Sequence, residues 1–258
     1  MNKKPNIDIL KEPKGFIKGI ELVITIFAFA TVAGALGHLE FLVNCSGGNP
    51  PTRQVNADFS YPFKSMRVYA STKTPCTNET GIATKETLPL GYKSEAEYFV
   101  FTGVVSMIFV LVAATYYLFF EDRAKDATAT DIGLLSFPVV DFVFTIVLVI
   151  FWFTSSIAWA SGLSGLKKAT SEDAIFKAYE PCHADYPHTN GCGSFDGARY
   201  GAATVAVVFG FLNFFVWAGN LWFLFKETPW HSPKSSGVRG SEVPQEAPHQ
   251  DTPPANSV

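Results

Sequence analysis

Cysteine and histidine are the residues of this chain whose types could do chemistry. Cys45, Cys76, Cys182 and Cys192 are its four cysteines, with His183 and His188 between the last two. Two cysteines and two histidines can hold zinc, but Cys182-His183, His188 and Cys192 match none of the common structural spacings. Oxidation is the simpler chemistry. Four cysteines permit three pairings. Short closures form most readily, which favours Cys45–Cys76 and Cys182–Cys192 over a cross-loop pairing, each worth about 2–4 kcal/mol. Two glycosylation sequons stand nearby, Asn44-Cys45-Ser46 and Asn78-Glu79-Thr80. The glycan is expected at Asn78 more often than at Asn44, because Asn44 lies close to an apolar run and precedes a bridging cysteine. No phosphate-binding glycine loop, His-Glu-x-x-His motif or carboxylate pair inside an apolar run is present. The chain is therefore not expected to be an enzyme and needs no resident cofactor or metal.

The elements that position these cysteines are set by charge. The 258 residues include 20 Lys and Arg and 23 Asp and Glu, all outside four uninterrupted runs: Leu22 to Leu39, Tyr98 to Phe120, Phe142 to Leu166 and Tyr200 to Phe225. About 20 apolar residues in a helix cross the hydrocarbon core of a bilayer. The runs predict an all-α membrane protein, a four-transmembrane-helix bundle with two disulfide-bridged lumenal loops. Its spans fall at about 18–39, 98–120, 140–163 and 201–225. They lie within a domain over 16–228, preceded by a cytosolic segment over 1–15 and followed by a disordered Pro-rich tail over 229–258. Lys18 is read as reaching back to the headgroups, and Asp141 as solvated at the interface.

Four spans place both termini on one side. Lys3, Lys4, Lys11, Lys14 and Lys18 crowd the N-terminus, which favours cytosolic termini. All four cysteines and both sequons fall in the first and third loops. Oxidation and glycan attachment are lumenal events, so the same orientation follows.

Within the runs, Ala30 with Gly34 and Ala33 with Gly37 sit four apart, the small-residue spacing that lets helices approach closely. Ser156 with Ala160, Ala158 with Gly162 and Ser161 with Gly165 repeat it. These faces serve the bundle's own packing or contact between protomers. Asn213 and Asn220 are seven apart and share one helix face, where they act as interhelical hydrogen-bonding groups or as a partner-binding stripe.

Several segments resemble the synaptophysin family of four-span vesicle proteins, which carry a MARVEL-type domain. They include Glu12-Pro13-Lys14-Gly15-Phe16-Ile17-Lys18, Tyr61-Pro62-Phe63 and Ser155-Ser156-Ile157-Ala158-Trp159-Ala160-Ser161-Gly162-Leu163. The longest runs from Val208-Phe209-Gly210-Phe211-Leu212-Asn213 through Trp217-Ala218-Gly219-Asn220-Leu221-Trp222-Phe223 to Phe225-Lys226-Glu227-Thr228. The likeness covers roughly residues 10 to 231. One cysteine pair per lumenal loop is also the family arrangement. The tail lacks the Tyr-Gly-Gln-rich repeats of synaptophysin itself, and with Pro229-Trp230-His231 it resembles the short-tailed mitsugumin and pantophysin branch. The resemblance implies a non-enzymatic protein of cytoplasmic or synaptic-type vesicles or of intracellular membranes, with a role in membrane organisation, trafficking and exocytosis. It also implies homo-oligomers, cholesterol as a bound lipid, and a synaptobrevin-type vesicle protein and the vacuolar proton pump as partners. The alternative is a pore-forming oligomer, since connexins share four spans and loop disulfides, though with three cysteines per loop.

Overall fold

A computed structural model describes residues 13–47, 49–70, 76, 85–126 and 137–227. Four long helices dominate it: α1 (Pro13–Ala33), α2 (Lys93–Asp126), α3 (Phe137–Ala169) and α5 (Gly201–Glu227). Each contains a stretch long and apolar enough to cross a membrane. Helix α1 packs on α2 and α5, and α3 packs on the same two, which closes a four-helix ring. Large apolar side chains point outward along it, including Val23 and Phe27 on α1, Ile108 and Val112 on α2, Ile150 on α3 and Val208 and Phe215 on α5. Such a surface suits lipid as its solvent, because helices satisfy their own backbone groups there.

The reading of an all-α chain needs correction. Five strands, β1 (Leu36–Cys45), β2 (Thr52–Ser60), β3 (Ser65–Ala70), β4 (Lys85–Pro89) and β5 (Thr189–Asp196), form one antiparallel sheet in the order β4-β3-β2-β1-β5. The first span is corrected with it. Its helix stops at Ala33, and residues 36–39, assigned above to the span, begin β1. The physical reason is a change of period. From Leu39 to Cys45 buried Leu39, Phe41, Val43 and Cys45 alternate with less buried Glu40, Leu42 and Asn44, which is a strand with one covered face. The helix itself begins at Pro13, ahead of residue 18, with proline in a first-turn position that tolerates it.

Strands β1 to β4 come from the first loop and β5 from the third, so both loops lie at one end of the bundle. Pairing of Val43 with Cys192 and of Cys45 with Thr189 joins them. The covered face (Leu39, Phe41, Val43, Val55, Ala57, Phe59, Met66 and Val68) shares one continuous core with Trp159 and Leu166 of α3 and with Ile175 of the short helix α4 (Glu172–Ala178). Burying each large apolar side chain contributes about 1.5–3 kcal/mol. Phe63 locks sheet to bundle. It sits at φ 60° and is buried, with its ring centroid 5.5 Å from that of Trp159.

Candidate functional site

Two polar constellations stand out, one at each end of the bundle. The first lies toward the end that carries the start of α1 and the end of α5. Lys18 and Glu21 on α1 are one turn apart, and Asp141 lies in the first turns of α3. The Lys18 ammonium is 3.2 Å from Glu21 Oε2 and 3.6 Å from Asp141 Oδ1. Residue exposures are 4% for Lys18 and 0% for both acids. Asn220 Nδ2 of α5 donates to Glu21 Oε1 at 2.8 Å, and the Tyr117 hydroxyl of α2 donates to Asp141 Oδ2 at 2.7 Å. The Lys18 ammonium also lies 5.2 Å from the Trp217 ring and 5.5 Å from the Phe109 ring, within range of cation–π attraction. All four spans contribute to this cluster.

The expectations for Lys18 and Asp141 are thereby corrected. Neither reaches water, because their charges meet each other inside the ring. Asn213 and Asn220 share the α5 face that looks onto α1. The Thr25 hydroxyl donates to Asn213 Oδ1 at 2.8 Å, and Asn213 Nδ2 donates to Phe209 O at 2.9 Å. Residues 21 and 25 of α1 thus face residues 220 and 213 of antiparallel α5.

The small residues divide between two environments. Ala30, Ala33 and Gly34 are exposed on the outer side of α1 or just past its end. Gly34 is no longer helical, and Gly37 is buried in β1 under the Phe59 ring, where a Cβ would collide. The expected helical pair Ala33–Gly37 is corrected on this account, because the chain leaves the helix between its members, whereas Gly34 N–H still donates to Ala30 O at 2.9 Å and keeps that pair stacked. Close helix approach relies on other glycines. A Cβ on Gly210 of α5 would lie 2.5 Å from Ser156 Oγ of α3, and one on Gly103 of α2 would lie 2.6 Å from Phe29 Cβ of α1.

At the sheet end, Cys45 bonds Cys76 and Cys182 bonds Cys192. His183 Nε2 donates to Lys177 O at 3.0 Å. Asn44 is half-buried in β1, between β2 and β5. Asn78, the tail over 229–258 and the lysines before residue 13 lie outside the described residues.

The second constellation occupies the uncovered face of the sheet. His38 of β1 pairs with Asp58 of β2, which pairs with Arg67 of β3. His38 Nδ1 is 2.5 Å from Asp58 Oδ1 and its Nε2 is 2.9 Å from Glu40 Oε1. Both ring nitrogens face carboxylates, so the doubly protonated ring satisfies both. The hydrogen bond to Asp58, reinforced by that to Glu40, raises the His38 pKa above 6.5. Burial pushes Asp58 upward, but the hydrogen bonds from His38 and from Tyr69 (2.5 Å) outweigh it and hold its carboxyl below the usual value. The sequence reading missed this cluster. Alternation of His38 and Glu40 with apolar Leu39 and Phe41 was the available signal.

Residues 9–223 match the family described as MARVEL, membrane-associating domain.

Proposed function

Because the chain belongs to the MARVEL family of membrane-associating domains, which is not a family of enzymes, we propose that it is a non-enzymatic, multi-pass membrane scaffold of the synaptophysin type. In this reading it organises vesicle or intracellular membranes in trafficking and exocytosis, both termini are cytosolic, and the disulfide-tied sheet is lumenal. Its partners are further copies of itself, cholesterol, a synaptobrevin-type vesicle protein and the vacuolar proton pump, and Pro229-Trp230-His231 supports a reading within the mitsugumin and pantophysin branch. The glycan sits at Asn78 rather than Asn44.

The observation that carries this reading is the outer face of α1. Gly19, Val23, Phe27, Ala30 and Gly34 are all exposed there, and nothing lies within 4 Å of a Cβ placed on Gly19. Small residues on a lipid-facing helix admit a second helix closely, and packing is what drives association in lipid. Within one chain the ring is filled by fully buried Trp152, Trp159 and Trp217, so no observation favours the pore reading. Purification from native membranes in mild detergent tests the proposal. Oligomers that retain a synaptobrevin-type protein or a pump subunit are expected. A strictly monomeric protein that retains neither would overturn it.

A further inference from the structure

Three ionisable side chains meet within the ring: the Lys18 ammonium, the Glu21 carboxylate and the Asp141 carboxylate. Their neighbours bring no further charge among the described residues. From α2 comes the Tyr117 hydroxyl, from α3 Thr145 donates to Asp141 Oδ1 at 3.4 Å, and from α5 come the Asn220 amide and the Trp217 ring. Fully ionised, the cluster is one positive charge short. Neutral donors lower the cost of a buried anion but do not cancel it, and an unpaired charge in a span is expensive. One carboxylate oxygen is also short of donors. Glu21 Oε1 receives the Asn220 amide, whereas Oε2 has the Lys18 ammonium at 3.2 Å and no well-aligned hydrogen bond. A crevice of about 140 Å³ between α1 and α2, lined by Gly15, Lys18, Gly19, Leu22, Val110 and Tyr117 among others, reaches Lys18 and Tyr117 at the edge of the cluster from outside, with the two carboxylates behind them.

We propose that the Lys18–Glu21–Asp141 cluster is a binding site for one unit of positive charge, delivered as a proton or as an alkali-metal cation. A proton forms an O–H bond at Glu21 Oε2 and breaks none within the protein. A cation binds to carboxylate oxygen beside the Lys18 ammonium without covalent change. Either occupant makes the cluster neutral and leaves the Lys18–Asp141 ion pair to join α1 to α3, so occupancy follows the proton or cation activity on the side where the termini lie.

Infrared spectroscopy of the full chain in lipid nanodiscs at neutral pH, in ordinary and heavy water, distinguishes the two sources. The proton arm predicts a deuterium-sensitive carbonyl stretch of a protonated carboxyl that disappears completely in Glu21→Gln. The cation arm predicts no such band, but a thermal midpoint that rises with sodium or potassium at constant ionic strength and loses that dependence in Glu21→Gln. Glu21→Gln keeps the Asn220 partner and leaves one ammonium with one carboxylate, so the folded state is retained. Asp141→Asn serves as the second variant and removes the cation dependence in the same way. A folded wild type with neither signature, or a band that survives both substitutions, would overturn the proposal.

Discussion

His38 shows how one side chain can tie two strands and set a pH range. Its ring lies between Asp58 across the strand pair and Glu40 on its own strand, with Tyr69 and Arg67 around Asp58. The folded state binds the ring proton more tightly than the unfolded chain, because the His38 pKa is raised from 6.5. Its contribution is complete below pH 6.5 and is lost as pH rises through the higher folded value. Thermal unfolding followed from pH 5 to 9 should therefore show falling stability for the wild type above about pH 6.5 and a flatter profile for His38→Gln. Parallel profiles would refute this role. Lys18 teaches the complementary lesson. A charge count treats a charged residue as the boundary of a span, and so puts Lys18 at the headgroups and Asp141 at the solvated interface. Their burial is decided by partners far off in sequence, such as Asn220, which is 199 residues from Glu21. No local pattern could reveal it.

At the scale of elements, the long helices were legible because length and freedom from charge are local properties. The sheet was legible only in part. The charge-free run from Leu22 to Leu39 covers the end of a helix and the start of a strand, and a count of apolar residues cannot see the change from period 3.6 to period 2 at Gly34. The cysteines were read from their positions, and the two bridges observed join Cys45 to Cys76 and Cys182 to Cys192. They differ in what they close. The first spans 31 residues of sequence, through β2 and β3, whereas the second spans 10. Chain-entropy reasoning gives about 3.7 kcal/mol for the longer closure and about 2.7 for the shorter. Replacing Cys45 and Cys76 with alanine should lower the unfolding midpoint in detergent more than replacing Cys182 and Cys192. Equal losses, or the reverse order, would show that sheet pairing rather than loop closure governs stability at this end.

Across the whole molecule, the two ends of the ring have opposite characters. One carries a disulfide-tied sheet with a polar outer face, and the other carries buried charges drawn from all four spans. Between them the bundle presents apolar surface to lipid, and outward Gly19, Ala30 and Gly34 interrupt that surface along α1. The scaffold reading requires that another transmembrane segment pack on this face, since a lipid-facing helix gains association energy only through close contact. Disulfide crosslinking in native membranes tests this most directly. A single cysteine is introduced at Ala30 or Ala33 on α1, or at Ile108 or Val112 on the outer side of α2, where large side chains stand exposed and Gly103 and Ala113 are buried, with the four native cysteines held in their own bridges. Crosslinks to a second copy or to another membrane protein should form from the two α1 positions and be absent from the two α2 positions. Crosslinks only from α2, or none from either helix, would contradict the scaffold.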